Sequence, residues 1–115
     1  MLIGSQPICE YLDETVDRMP MIHGNAVLRA EIRRMTEWFD IKLYREAVEP
    51  LMYERMRKRL VNRESPDTRV LREAMRVASE HLDYVDYLLD HRRWLAGPGL
   101  SLADFTAAAH LSVVD

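Results

Sequence analysis

The residues of this chain that could do chemistry are four histidines, one cysteine and a scatter of carboxylates. A zinc or di-iron site on helices needs ligands one turn apart on one face. His81 has Asp83 and Asp86 near it in sequence, but no second His or Glu repeats the motif, and His23, His91 and His110 stand apart. No metal is expected. Cys9 lies next to Glu10, and a carboxylate neighbour disfavours a thiolate, so Cys9 reads as a packed residue rather than a nucleophile. No Ser-His-Asp spacing, Gly-rich phosphate loop or dinucleotide fingerprint is present. The dense basic run Arg55-Met56-Arg57-Lys58-Arg59, with Arg63, has two readings. One is a patch for nucleic acid or an acidic partner; the other is a solvated helix end, where cations suit the dipole. The second is the plainer, since the whole chain carries a net charge of −3 and electrostatics would not hold it on DNA.

The most informative local stretch is Leu100-Ser101-Leu102-Ala103-Asp104-Phe105. Ser101 at a helix N-cap can accept from the Asp104 N–H, and the Asp104 carboxylate can reach back to the Ser101 N–H. Leu100 and Phe105 then hold the two positions of a hydrophobic staple. Ala107-Ala108-Ala109 would let another helix approach closely, and this last helix reads as centrally buried, still running at Asp115.

The elements that must position these residues are helices. Leu28, Ile32, Met35, Phe39 and Leu43 recur at helical steps, with Arg29, Arg33, Glu37 and Asp40 on the other face. Leu71, Ala74, Met75, Ala78, Leu82, Val85 and Leu89 keep a similar step further on. Ser65 as cap, Pro66 at the first position and Asp67 in the first turn mark where that helix starts. A short helix is expected over about Ser5 to Leu12, and Met19-Pro20 with His23-Gly24-Asn25 reads as a linker including Asp17. Ala96-Gly97-Pro98-Gly99 is the sharpest turn signal, and no alternating run is long enough for a strand. A straight helix over residues 25–62 would be about 57 Å long, while a compact chain of this size has a radius of gyration near 13 Å. The helix must therefore bend, overhang its core or belong to a larger body, and Pro50 supplies a bend.

Composition agrees with one all-α domain. The chain has 115 residues, 48% hydrophobic and 30% charged, too apolar for a disordered tail. Charge is uneven: −3 over residues 1–24, +3 over 25–64 and −3 over 65–115. No apolar run could cross a membrane, and Met1-Leu2-Ile3-Gly4-Ser5 is no signal peptide. A single cysteine suits a reducing, cytoplasmic setting.

Trp94-Leu95-Ala96-Gly97 followed by Ser101-Leu102-Ala103-Asp104-Phe105 resembles the junction of helices five and six in cytosolic glutathione S-transferases. Gly4-Ser5-Gln6-Pro7-Ile8-Cys9-Glu10-Tyr11-Leu12 resembles the same family's entry from the thioredoxin-like sheet into helix three. Glu37-Trp38-Phe39-Asp40 and Asp83-Tyr84-Val85-Asp86 look like the transferase-like bacterial proteins that bind the division protein FtsZ. The resemblance implies an all-α helical bundle of the transferase C-terminal domain type. Residues 1–24 would be the end of a thioredoxin-like domain (helix three) with its linker, and residues 25–115 the helical domain, cut short.

The resemblance further implies glutathione as co-substrate, conjugated to electrophilic apolar molecules, and a homodimer in the full-length protein. Ser5 would hold the γ-glutamyl carboxylate of glutathione; its plainer role is to cap its own helix. Tyr44 and Tyr53 lie where the family's helix four lines the apolar-substrate pocket; more often such aromatics are core or interface residues. The family's thiol-activating residue has no counterpart in these 115 residues, so the chain alone is expected to be inactive. The competing reading is a non-catalytic interaction module on the same fold, binding FtsZ or another protein. Neither nucleic acid nor membrane is an expected partner.

Overall fold

The computed structural model describes residues 3–16 and 18–114. The expectations that fall on Met1, Leu2, Asp17 and Asp115 lie outside the described residues. Four helical bodies follow one another: α1 (Ser5–Thr15), α2 (residues 26–60), α3 (Thr68–Leu89) and α4 (Leu102–Val114). Among the described residues there is no strand, only an isolated antiparallel bridge between Trp94 and Gly97. It closes the turn announced by Gly97-Pro98, with Trp94 and Gly97 exchanging N–H to carbonyl bonds of 3.0 and 3.2 Å.

The long helix α2 is not uniform. It is α-helical over Ala26–Glu37, then takes π-helical, i to i−5 hydrogen bonds over Trp38–Val48, where the Glu49 N–H reaches back to the Tyr44 carbonyl. A short α-helical piece, Glu49–Met52, contains Pro50, and a second wide turn, Tyr53–Arg57, precedes the end at Lys58–Leu60. The wide turns explain a feature of the sequence. Met35, Phe39, Leu43, Ala47 and Leu51 are all fully buried, at uniform steps of four. In a regular helix each such step drifts by about 40° around the axis, so the row would leave the core within a few turns. Turns closed by i to i−5 bonds take up more residues and cancel that drift. They also shorten the helix, which would span about 52 Å if regular against a longest molecular dimension of 48 Å.

Helices α3 and α4 pack against the π-helical stretch of α2, and α2 also meets α4 along Ala26–Glu37. The result is a slab, 48 × 39 × 17 Å, with a radius of gyration of 16.2 Å, larger than the 13 Å of a compact chain of this length. The buried face of α3 is Ala74, Ala78, His81, Val85 and Leu88. Met75, Leu82 and Leu89, expected inward, are exposed, so the stripe read from sequence was rotated by part of a turn. In α4 only Ala103, Ala107 and Val114 are buried, while Phe105, Ala108 and Ala109 face outward, so this helix is covered on one side and not all round.

Side chains fix the joints. α1 buries no residue of its own and is tied on by Glu10, whose carboxylate takes a bidentate pair from Arg33 at 2.9 and 3.1 Å. The Arg33 hydrogen bonds hold the Glu10 carboxyl below its usual range. At the far end of α1 the Asp13 carboxylate accepts the N–H groups of Met21 and Ile22, turning the linker back on the helix. α1 runs to Thr15, about one turn beyond the expected Leu12. At the next joint the cap of α3 is Asp67, which accepts the Arg69 N–H at 2.8 Å; Ser65 and Pro66 stay in the loop. The buried Glu54 carboxylate seizes the Asp67 N–H at 2.6 Å, fixing the start two residues later than the sequence suggested.

Glu31 ties α2 to the α3–α4 connection. It accepts from Arg34 at 2.7 and 2.8 Å and from Arg92 at 2.6 Å. The Arg34 hydrogen bonds, then those of Arg92, pull its carboxyl down to about 2. A depressed carboxyl contributes stability that is present above its unfolded pKa, near 4.3, and lost as pH falls toward the folded value. Urea midpoints measured from pH 5 down to 2 should therefore fall less steeply for Glu31→Gln than for the parent. The difference at pH 5 should be about 1–2 kcal/mol, allowing for solvent around Arg34. Parallel curves would show the contact to be idle.

Candidate functional site

The site residues named from sequence fall in three places. Leu100, Ser101, Asp104 and Phe105 form the start of α4, as expected, but with altered roles. The Asp104 carboxylate accepts the Ser101 N–H and the Ser101 hydroxyl on Oδ2, both at 2.9 Å, and the Leu95 N–H on Oδ1 at 3.0 Å. The Ser101 hydroxyl thus donates to Asp104 rather than accepting its N–H, which bonds instead to the Ser101 carbonyl at 3.2 Å. Phe105 is 54% exposed, so the staple with half-buried Leu100 is not a closed apolar contact. The preceding segment is clamped to the same point: Leu102 donates its N–H to the Met21 carbonyl at 3.0 Å, and His23 Nε2 bonds the Leu100 carbonyl at 3.1 Å.

Ser5 is the first residue of α1 and is exposed. The N-cap is Gly4, with φ of 97°, and no side chain caps this helix, which removes the capping role for Ser5. Its neighbours across a cavity of about 250 Å³ include Cys9, Thr36, Asp40, Phe105 and His110. His110 Nε2 meets Asp40 Oδ1 at 2.9 Å, joining α4 to the π-helical stretch. Cys9 is half-buried here and forms no disulfide.

Tyr44 and Tyr53 do come together. They line one groove of about 440 Å³ along the last turns of α2, with Met52, Met56 and Leu60. Tyr44 is half-buried, its ring centroid 5.9 Å from that of His110, and Tyr53 is 43% exposed.

One constellation escaped the sequence reading. His81 is 6% exposed, and its partners are Trp38 and Glu46 of α2, not Asp83 or Asp86. Trp38 Nε1–H can only donate, and it lies 3.1 Å from His81 Nδ1. That nitrogen must therefore be the acceptor, and the proton sits on Nε2, which donates to Glu46 Oε2 at 2.9 Å. Hydrogen bonds from Lys42 first, and then from His81, keep the Glu46 carboxyl below its usual range. Trp38 also stacks on Tyr84, with centroids 4.8 Å apart, and Lys42 Nζ lies 5.5 Å from the Trp38 ring. The available signal was a histidine on the apolar face of α3, in step with Ala74, Ala78 and Val85. Among the described residues, no three His, Cys, Asp or Glu side chains gather as a metal site would require.

The same fold recurs in known proteins. A glutathione S-transferase from Rhodospirillum rubrum F11 superposes with a TM-score of 0.90 and 45% identity, over 96% of this chain and 50% of that one. FzlA from C. crescentus gives 0.92 and 43%, over 96% and 49%. This chain carries the helical domain of the glutathione S-transferase fold. A further glutathione S-transferase, from Sinorhizobium meliloti 1021, agrees at 0.87 and 38%, over 99% of this chain and 53% of that one. Among curated proteins, FtsZ-localized protein A of Caulobacter vibrioides (strain NA1000 / CB15N) is 43% identical over all 115 residues, which make up 50% of its length. The chain thus spans about half the length of the relatives it matches. No protein-family model matches it. Within this transferase-like domain the Ser101–Asp104 box is structural, whereas the Ser5 cavity and the Tyr44–Tyr53 groove are the open concavities that contain residues named from sequence. No helix is long and apolar enough to cross a membrane among the described residues.

Proposed function

We propose that this chain is a protein-binding helical module on the glutathione S-transferase fold, acting with the division protein FtsZ. The observation that carries the reading is the match to FtsZ-localized protein A, which covers the whole chain at 43% identity. The distribution of residues supports it. The buried polar side chains His81 and Ser101 are engaged, His81 with Trp38 and Glu46 and Ser101 with Asp104, and hold helices in place. The reading places the protein in the cytoplasm, the reducing setting that its single cysteine suits, and takes the full-length form to be a homodimer. Purified chain mixed with GTP-assembled FtsZ filaments should sediment with them in excess of a filament-free control. Equal amounts in both pellets would remove the reading.

A second reading is conjugation of glutathione to apolar electrophiles, favoured by the apolar Tyr44–Tyr53 groove and by exposed Ser5 at the start of α1. Activating a thiol requires a donor aimed at sulfur, and the family's thiol-activating residue has no counterpart in these 115 residues. Under this reading glutathione is the co-substrate and Ser5 a contact for its carboxylate. The 115-residue chain should show no turnover of a chlorodinitrobenzene-type substrate with glutathione. Steady product formation, abolished by Tyr44→Ala, would turn the choice toward the enzyme.

A further inference from the structure

We infer that the groove at the end of α2 is a docking site for an acidic, amphipathic peptide segment of a partner protein. This rests on the reading of the chain as a protein-binding module and names the surface and the chemistry of the segment bound.

Three observations meet there. The floor is apolar and adaptable: Met52, Tyr53, Met56 and Leu60 are all exposed along a groove of about 440 Å³. Unbranched methionines re-pack around varied aliphatic side chains, and tyrosines add apolar area at little entropic cost. The rim is cationic at one end, where Arg57 lines the groove, and carries Glu49 at the other. Arg57 belongs to the chain's only dense basic run, in a segment of charge +3 within a chain of charge −3. Finally, the fold uses only part of that run. Arg55 donates to the carbonyls of Val113 and Val114, at 3.4 and 3.5 Å, at the end of α4, and Lys58 pairs with buried Glu54 at 3.2 Å. Arg57, which lines the groove, and Arg59 are exposed and pair with no carboxylate among the described residues.

Charge complementarity selects the occupant. A segment with aliphatic residues one helical turn apart and Asp or Glu between them would seat its apolar side chains against Met52 and Met56 and present carboxylates to Arg57 and Arg59. Nucleic acid fits poorly, because two exposed arginines without a carboxylate partner among the described residues give few phosphate contacts. An apolar electrophile would fill the floor but leave the arginines without a role.

The test is a titration of the chain against a fluorescein-labelled synthetic peptide with leucines at i, i+4 and i+7 and glutamates between them. A second peptide has glutamine at every glutamate. Anisotropy should show the acidic peptide bound about tenfold more tightly than the glutamine peptide, with the difference shrinking at high salt. The double variant Arg57→Glu/Arg59→Glu should lose about tenfold toward the acidic peptide, and Met56→Asp should weaken both peptides. Arg72→Glu on α3, likewise exposed, should change nothing. Equal affinity for the two peptides, or undiminished binding by the double variant, overturns the proposal. So would concentration-dependent self-association that Met56→Asp abolishes, since the occupant would then be a second copy of the chain. Sedimentation with FtsZ reports separately: peptide binding without co-sedimentation would keep this groove and discard FtsZ as its source.

Discussion

Phe39→Ala should lower the free energy of unfolding by about 4 kcal/mol. Phe39 is fully buried in the π-helical stretch, where α3 and α4 both pack on α2. Removing the ring forfeits its transfer free energy and leaves a cavity whose walls are side chains from different helices. A domain of this size has a total stability of roughly 5–15 kcal/mol, so the variant should melt roughly 15 °C lower or be partly unfolded at room temperature. Chemical denaturation followed by circular dichroism measures it. A loss below about 1.5 kcal/mol would mean that the helices close over the gap and that the core is not packed around this ring. The functional consequence should follow: Tyr44, one turn on, borders the groove, and slackening this junction should weaken peptide binding through loss of order.

The second large effect is expected at Asp104. One carboxylate accepts from the Leu95 N–H, the Ser101 N–H and the Ser101 hydroxyl, and Ser101 is 1% exposed. Asp104→Ala orphans two backbone donors where little water reaches them, at a cost of about 3 kcal/mol. Ser101→Ala should cost only about 1 kcal/mol, because its hydroxyl contributes a single bond to that same carboxylate. Asp104→Asn should fall between them, since one carboxamide oxygen cannot serve donors that now meet two acceptor oxygens. The order of the three variants discriminates. If Ser101→Ala were the most damaging, the hydroxyl would be capping a backbone N–H after all, as the sequence motif alone implied.

Much of the fold was legible because periodicity and punctuation agree. The buried row through Ile32, Met35, Phe39 and Leu43 was read in place, as was the start of α4 at Ser101. The all-helical character followed from that periodicity, and the likeness to the glutathione S-transferase fold from Trp94–Gly97 with Ser101–Phe105 and from Gly4–Leu12. What escaped has physical causes. On α3, apolar residues occupy a wide arc, Leu71 to Leu89, and hydropathy cannot mark its centre; the centre proved to include a histidine. The cap of α3 shifted because Glu54, thirteen residues earlier in sequence, captures the Asp67 N–H, and no local pattern encodes such a bond. The same is true of Asp13, which holds the backbone of Met21 and Ile22. Of the candidate site, the placing of Tyr44 and Tyr53 on one side came from the family resemblance and not from helical spacing, since residues nine apart on a regular helix lie about 180° apart; the wide turns of α2 bring them to one groove. The link of His81 to Trp38 and Glu46 was not legible, because it joins two helices whose mutual rotation only packing decides.

The wide turns of α2 also make its length negotiable. Removing one residue between Trp38 and Val48 would let a generous turn tighten into an ordinary one, and Leu51 would still point inward. The same deletion within Ala26–Glu37 has no such slack: everything beyond it would swivel by about 100°, carrying the groove a little over a quarter of the way round the molecule.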